Sequence, residues 1–549
     1  MNFVENETSQ KLRGGYYTPS DLAGFIARWV GQGNPSSILE PSCGDGAFLT
    51  ELAKCPSTAS ANIVAFELDR KEAGIASQRA KEHGLSASVH ASDFLGWALD
   101  QLASSGTRFD AVVGNPPFIR YQYLPAEFQD RSERVFSRLN CKFTKHTNAW
   151  VPFILASFAM LKRGGRLAMV VPSEIIHVLH AQSLRSYLGK ECRRLVIIDP
   201  EQLWFEDTLQ GTVILLAEKR LCDSEKPEGV GIIPVRAREF VSCDPAEIFS
   251  TPKPINGKTV AGKWTRALLD KGSRDLLDEL MEHPDVHCFE DIADVDVGIV
   301  TGANNFFLVT DEVVQQYKLK DHVHPMFGRS EHCPGVIYDT KQHRTNAQTG
   351  KPTNFIWFKN SSVTISSSVK SYIEIGEQQK LHTRYKCRVR SPWYSVPSIY
   401  ATEIGMLKRS HDTPRLIFNR IGAYTTDTAY RIRSKGVSAQ RLVTSFVNPL
   451  TALSAELEGR HYGGGVLELV PSEIEHLAIP LPAKTKLDIK KLDHAVRNES
   501  AVDVLSSHGF RVLEGLGLSK ARSDQLLDNW IKLRNRRHRI TSGQDSTAF

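Results

Sequence analysis

At 549 residues the chain is too long for one ordinary domain, so two or three are expected, each large enough to bury its own core. Hydrophobic residues make up 41% and charged residues 24%, which excludes a largely unfolded or fibrous chain. No apolar run approaches the ~18 residues of a membrane-spanning helix, and a net charge of +6 is compatible with a polyanionic partner without requiring one.

The polar stretch Met1–Arg13 lacks the apolar centre of an export signal. Nine cysteines with no C-x-x-C pair are expected to be reduced thiols, which places the protein in the cytoplasm, with no membrane association and no metal site. Apolar residues at helical spacing then predict a helix over Asp21–Val30, with Thr18-Pro19-Ser20-Asp21 as its cap and the proline at the first helical position. Short apolar runs predict strands over Ser37–Glu40, Ile63–Glu67, Ser88–Ser92, Phe109–Val113, Arg166–Val171, Leu195–Asp199 and Thr212–Glu218. A further helix is expected over Asn148–Leu161, ended by the turn Lys162-Arg163-Gly164-Gly165. The alternation makes residues 1–220 an α/β unit with a mainly parallel, Rossmann-like sheet. Residues 221–258, richer in Pro, Gly and Asp, read as a connector with one strand at Gly231–Val235. Residues 259–490 change to short strands and loops with scattered aromatics, a second domain of mixed α/β or mostly β character. Residues 491–549 read as a helical, basic extension.

The first strand runs into Glu40-Pro41-Ser42-Cys43-Gly44-Asp45-Gly46, a glycine loop that opens a helix. Such a loop can hold a dinucleotide. Here Asp45 would set a negative charge against a pyrophosphate, and Leu49 stands where the third glycine of the dinucleotide pattern belongs. A cationic ligand without phosphate fits better, and S-adenosylmethionine is one. The next strand ends at Glu67, whose carboxylate can accept both ribose hydroxyls. The third is followed by Asp93-Phe94, an acceptor for an adenine amino group with a ring beside it. The fourth stops at Gly114 and is followed by Asn115-Pro116-Pro117-Phe118. An amide oxygen, prolyl carbonyls and an aromatic ring together suit a planar group carrying an exocyclic amine, with adenine in DNA the leading candidate. All four sites stand at carboxyl ends of strands, where open α/β sheets bind their ligands. No Pro-Cys pair exists to supply the thiol that cytosine-C5 methylation needs.

From about Gly14 to Lys219 the chain resembles the gamma class of amino-DNA methyltransferases, in particular the adenine-N6 enzymes of the TaqI type found in type II restriction–modification. Tyr16-Tyr17-Thr18-Pro19 resembles the N-terminal cofactor motif of that class, Leu39 to Gly46 its cofactor loop, and Asn115-Pro116-Pro117-Phe118 its catalytic tetrapeptide. Thr147-Asn148-Ala149-Trp150 and Val170-Val171-Pro172-Ser173 look like its following blocks. The resemblance implies a class I methyltransferase fold with a C-terminal target-recognition domain. It also implies that Tyr17, Thr18, Glu40, Ser42, Gly44, Glu67, Asp93 and Phe94 line the cofactor, while Asn115 touches both ligands. Family members hold the base with a second aromatic ahead of a late strand, which makes Phe205 the candidate and Trp204 the alternative.

In the expected reaction, Asn115 and the Pro116 carbonyl accept both N6 hydrogens, which localises the nitrogen lone pair for attack on the sulfonium methyl. Phe118 stacks on an adenine flipped out of duplex DNA. Two blocks, Val297 to Phe307 and Tyr462 to Leu469, look more loosely like parts of target-recognition domains, and each is also open to reading as a glycine turn between strands. Basic residues cluster at Arg384, Lys386, Arg388 and Arg390 and again over Lys532–Arg539, and both groups are expected at DNA phosphates. A monomer is expected, with any cognate restriction endonuclease acting as a separate protein. RNA adenine-N6 or DNA cytosine-N4 methylation are the alternatives within this chemistry, and a catalytically inactive DNA-binding subunit is the alternative outside it.

Overall fold

The computed structural model describes residues 18–104, 106–202, 204, 211–236, 238–256, 262–358, 366–462 and 464–538. The chain divides into two compact units, one reaching to Asp270 and the other spanning Lys271–His538.

The first unit is built on strands β1 (Ser37–Glu40), β2 (Asn62–Phe66), β3 (Ala87–His90), β4 (Phe109–Gly114), β5 (Leu161–Pro172), β6 (Cys192–Pro200), β7 (Thr212–Lys219) and β8 (Gly229–Val235). They form one eight-stranded sheet in the order β3-β2-β1-β4-β5-β7-β6-β8. Pairing is parallel from β3 through β5, and β7 is inserted antiparallel between β5 and β6. The central strands are near-continuous apolar runs because both faces are covered. Alternate residues go to opposite sides. Leu167, Met169, Val171, Leu195, Ile197, Val213 and Leu215 join one core, while Ala168, Val170, Val196, Ile198, Ile214 and Leu216 join the other.

Helices α1 (Ser20–Gly31), α2 (Ala47–Lys54) and α3 (Arg70–Glu82) cover the second face. The first face carries α4 (Phe94–Ala103), α5 (Ala126–Arg138), α6 (Trp150–Ala159) and α7 (Gln182–Glu191). The seven expected strands are present, with ends shifted by a few residues. The turn Lys162–Gly165 lies inside β5, where the register against β4 jumps between Phe109↔Leu161 and Ala111↔Arg166. Pro19 is the N-cap of α1 rather than its first helical residue.

Two boundaries differ from expectation. The stretch expected to be a connector completes the first unit, because β8 pairs in parallel with β6 along its whole length. Beyond it Phe240 and α8 (Pro245–Ser250) place Ile248 and Phe249 in the core against Phe25 and Trp29. Polar loop composition concealed these few apolar anchors. The second unit is mixed α/β, with a five-stranded and a four-stranded sheet. The expected C-terminal extension is a structural part of it: helix Lys520–His538 packs on helix Pro449–Glu458. Among the described residues no helix is long and apolar enough to cross a membrane. All nine cysteines are free thiols.

Candidate active site

The loop between β1 and α2 turns on two glycines with positive φ, Gly44 at 52° and Gly46 at 92°. A Cβ on Gly46 would stand 3.1 Å from Ala76 Cα of α3, so this glycine is required by close approach. Among the described residues, a Cβ on Gly44 would meet nothing within 4 Å. Glu67, at the end of β2, ties the loop down by accepting from Gly44 N at 3.0 Å and Asp69 N at 2.8 Å. Each carboxylate oxygen keeps a second lone-pair site for a ligand hydroxyl. Asp45 turns away to α3 and pairs with Arg79 at 2.8 Å.

Glu40 is fully buried, and both of its oxygens lack a hydrogen-bond partner among the described residues. Burial first, then the neighbouring carboxylates Asp45 and Glu67, push its carboxyl up to about 8. A buried acid with no donor is costly unless a ligand supplies one. The ammonium of an amino-acid moiety meets that need, so the residues present fit S-adenosylmethionine.

Asp93 caps α4 through Gly96 N at 2.6 Å and pairs with Arg131 of α5 at 3.2 Å. Phe94 is buried, its ring packed among Phe66, Trp97 and Phe153, so the structure puts it in the core instead of on an open face. Arg79 and Arg131 were not legible in the sequence, since helix packing alone brings them to their acids.

At the end of β4, Gly114 lets Pro41 of the cofactor loop pack close, its Cδ 3.3 Å from where a Cβ would stand. Ser42 Oγ donates to the Asn115 carbonyl at 3.1 Å, and Asn115 Nδ2 donates to Thr18 Oγ1 at 3.2 Å. The glycine loop, the entry to α1 and the tetrapeptide are therefore one hydrogen-bonded assembly. Pro116 is buried, while Asn115, Pro117 and Phe118 are half-buried, with Phe118 leaning on the first core. The exit from the tetrapeptide is held by the block before α6. Ala149 N donates to Ile119 O at 3.0 Å, and Tyr121 N donates to Asn148 Oδ1 at 3.2 Å.

Tyr17 and Phe205 lie outside the described residues. Trp204 is buried, stacks near Phe240 at 5.7 Å and belongs to the core, so it does not serve as the base-holding aromatic.

In the second unit the basic cluster splits. Arg384, Lys386 and Arg388 are exposed on and beside the short helix Tyr385–Arg388. Arg390 instead donates to the carbonyls of Thr301 and Val300, both at 2.7 Å. Gly302, at φ 81°, lies under this helix, for a Cβ there would stand 2.8 Å from Lys386 Cβ. The block around Gly302 is thus the seat of the basic helix. The second block is a hairpin pairing Arg460–Tyr462 with Val466–Glu468, turning through Gly464 and Gly465 at positive φ.

The expected patch over Lys532–Arg539 does not hold as a DNA surface. Arg537 is buried against Glu456 at 2.8 Å, and Arg534 pairs with Asp412 at 3.3 Å over the Trp530 ring. Lys532 is exposed, and Arg539 lies outside the described residues. Amphipathic packing of the last helix turned half of the charge run inward.

Two family models match the chain: the N-6 DNA Methylase model over residues 2–234, and the C-terminal domain of Type II methyltransferase M.Eco57I over residues 261–513. Type II methyltransferase M.AccI of Acinetobacter calcoaceticus is 22% identical over 481 residues, covering 84% of each chain. M.XamI of Xanthomonas campestris pv. amaranthicola is 24% identical over 483 residues, covering 85% of each. Among solved structures, a cryo-electron-microscopy DrdV–DNA complex matches 91% of this chain and 58% of its own with a TM-score of 0.50 at 11% identity, a likeness of fold alone. Residues 2–234 belong to the N-6 DNA methylase family, and the chain is an N6-adenine methyltransferase of the type II restriction–modification kind. Its activity is site-specific adenine methylation of DNA within restriction–modification.

Proposed function

We propose that the protein flips an adenine out of duplex DNA and methylates its N6 at Asn115-Pro116-Pro117-Phe118, with S-adenosylmethionine held over the Gly44 loop. The observation that carries this reading is the double tie of Asn115, its carbonyl to Ser42 and its amide nitrogen to Thr18. These ties fix Asn115 against the cofactor loop, and its side-chain oxygen is the acceptor assigned to the substrate amine. Bound S-adenosylmethionine supplies a methyl group on a cationic sulfur.

The chain's own residues do the rest. Glu40 takes the ligand ammonium, Glu67 the ribose hydroxyls, and Asp93 the amino group of the cofactor adenine. Thr18 and Ser42 hold Asn115 in register with the cofactor loop. Asn115 Oδ1 and the Pro116 carbonyl accept the N6 hydrogens, favouring a pyramidal nitrogen with a localised lone pair. These acceptors are already fixed by the fold and need no rearrangement as charge develops. Phe118 stacks on the extruded base, which recovers ~1–3 kcal/mol of lost stacking. Phe205 supplies the second ring, and Arg384, Lys386 and Arg388 contact phosphates. The enzyme acts as a cytoplasmic monomer, protecting DNA from a separate cognate nuclease.

The test is transfer of a labelled methyl group to unmethylated duplex DNA, followed by digestion to nucleosides. N6-methyladenine is the expected product. N4-methylcytosine, or transfer to RNA alone, overturns the assignment, and cofactor binding without any transfer would make the protein an inactive subunit.

A further inference from the structure

The mouth of the catalytic tetrapeptide carries an exposed rim made from three segments of the first unit. Directly after Phe118, residues Tyr121–Tyr123 form a single 3-10 turn. This turn is anchored at both ends. Tyr121 is held by Asn148 at 3.2 Å and packs edge-on against His146 at 4.7 Å, while Leu124 is buried behind it. The His146 segment is tied in turn to the start of α7, where Ser183 Oγ donates to Lys142 O at 2.7 Å. The turn therefore presents its outer side chains from a fixed frame.

Tyr123 is 63% exposed, although it directly precedes the buried Leu124 and shares the turn with the anchored Tyr121. Arg120, Lys142 and Lys145 on the same rim are also exposed. An aromatic face standing among cations is complementary to stacked bases between phosphates. Extruding a base leaves a gap in the stack, and side chains inserted between base steps are a recurring means of supporting distorted duplex DNA.

We infer that Tyr123 enters the base stack of the duplex beside the extruded adenine, as a positioning residue, while Arg120, Lys142 and Lys145 contact the flanking phosphates. This rests on the adenine-flipping reading above and adds the group that makes flipping affordable.

The experiment uses the full-length enzyme, with target sites first mapped on unmethylated phage DNA by sequencing the methylated product. Wild type, Tyr123→Ala and Tyr123→Phe are then compared for methyl transfer on a short duplex carrying a mapped site, and for fluorescence on a second duplex in which 2-aminopurine, which lacks the N6 amine, replaces the target adenine. The same site with the target adenine opposite a mismatch, and so already unstacked, is the control. Tyr123→Ala is expected to lower kcat/KM on the paired duplex about 10- to 100-fold and to suppress the 2-aminopurine signal, while Tyr123→Phe stays within about twofold of wild type. Affinity for S-adenosylmethionine is unchanged, and most of the defect disappears on the mismatched duplex. A Tyr123→Ala enzyme as active as wild type on paired DNA overturns the inference. So does equal impairment on both duplexes, which would make Tyr123 a merely structural residue. A wild-type enzyme inert on all duplex DNA would overturn the underlying reading as well.

Discussion

At Glu40, folding and cofactor binding draw on the same proton. Burial followed by Asp45 and Glu67 raises its carboxyl from 4.5 to about 8, so between these values the folded chain holds a proton that the unfolded chain has released. Its contribution to stability is therefore full below 4.5 and is lost as pH rises through about 8. Thermal melts of the cofactor-free protein should show wild type losing ground against Glu40→Gln as pH rises across that interval, and parallel curves would refute the coupling. Binding a ligand ammonium requires the carboxylate, so cofactor binding should release a proton below about pH 8. Calorimetry in two buffers of different ionisation enthalpy measures that release directly. Asn115 behaves differently, because in the proposed reaction its oxygen acts on the substrate while its nitrogen, bonded to Thr18, positions the side chain. Asn115→Ala should cut kcat by at least ~10²-fold, as loss of a preorganised acceptor does. Affinity for S-adenosylmethionine should change by less than about tenfold, the weight of one neutral hydrogen bond to Thr18. Equal loss of both would make Asn115 a cofactor residue alone.

At the scale of elements, two basic segments that look alike in sequence have opposite fates. The short helix Tyr385–Arg388 rides on Gly302, with Lys386 and Arg388 exposed beside the Tyr385 ring. Replacing Arg384, Lys386 and Arg388 together by Gln should flatten the salt dependence of DNA binding by a slope of about 2–3 in log–log form. An unchanged slope would remove this helix from the DNA-binding surface. Helix Lys520–His538 instead spends Arg537 on Glu456 and on the carbonyls of His411, Gly465 and Asp412. Against the upward pull of burial, Arg537 and then His461 hold the Glu456 carboxyl below the usual carboxylate range. Arg537→Met would strand that charge in the core. A loss of ~3–5 kcal/mol in urea unfolding is expected, with the salt dependence of DNA binding left alone.

For the whole molecule, the decisive boundary lies at Asp270 rather than near residue 220. A chain cut after residue 220 loses β8, the parallel partner of β6, together with Phe240, Ile248 and Phe249 from the core. A fragment of residues 1–270 should bind S-adenosylmethionine and unfold cooperatively, whereas 1–220 should aggregate or bind none. Cofactor titration of the two fragments side by side decides it.

Periodicity and turn chemistry are local, and they sufficed for the order of seven strands, the glycine loop and the tetrapeptide at the end of β4. The expectation of a cationic ligand is equally local, drawn from Asp45 and Leu49, whereas the pairing of Asp45 with Arg79 is not visible there. What the sequence could not carry was partnership over distance. Only the folded chain set Arg79 on Asp45, joined Asn115 to Thr18 and Ser42, drew Phe94 and Trp204 into the core and gave Arg537 to Glu456. Each of these depends on how helices rotate against the sheet. That rotation is chosen by side-chain packing across residues far apart in the chain, so no local pattern records it.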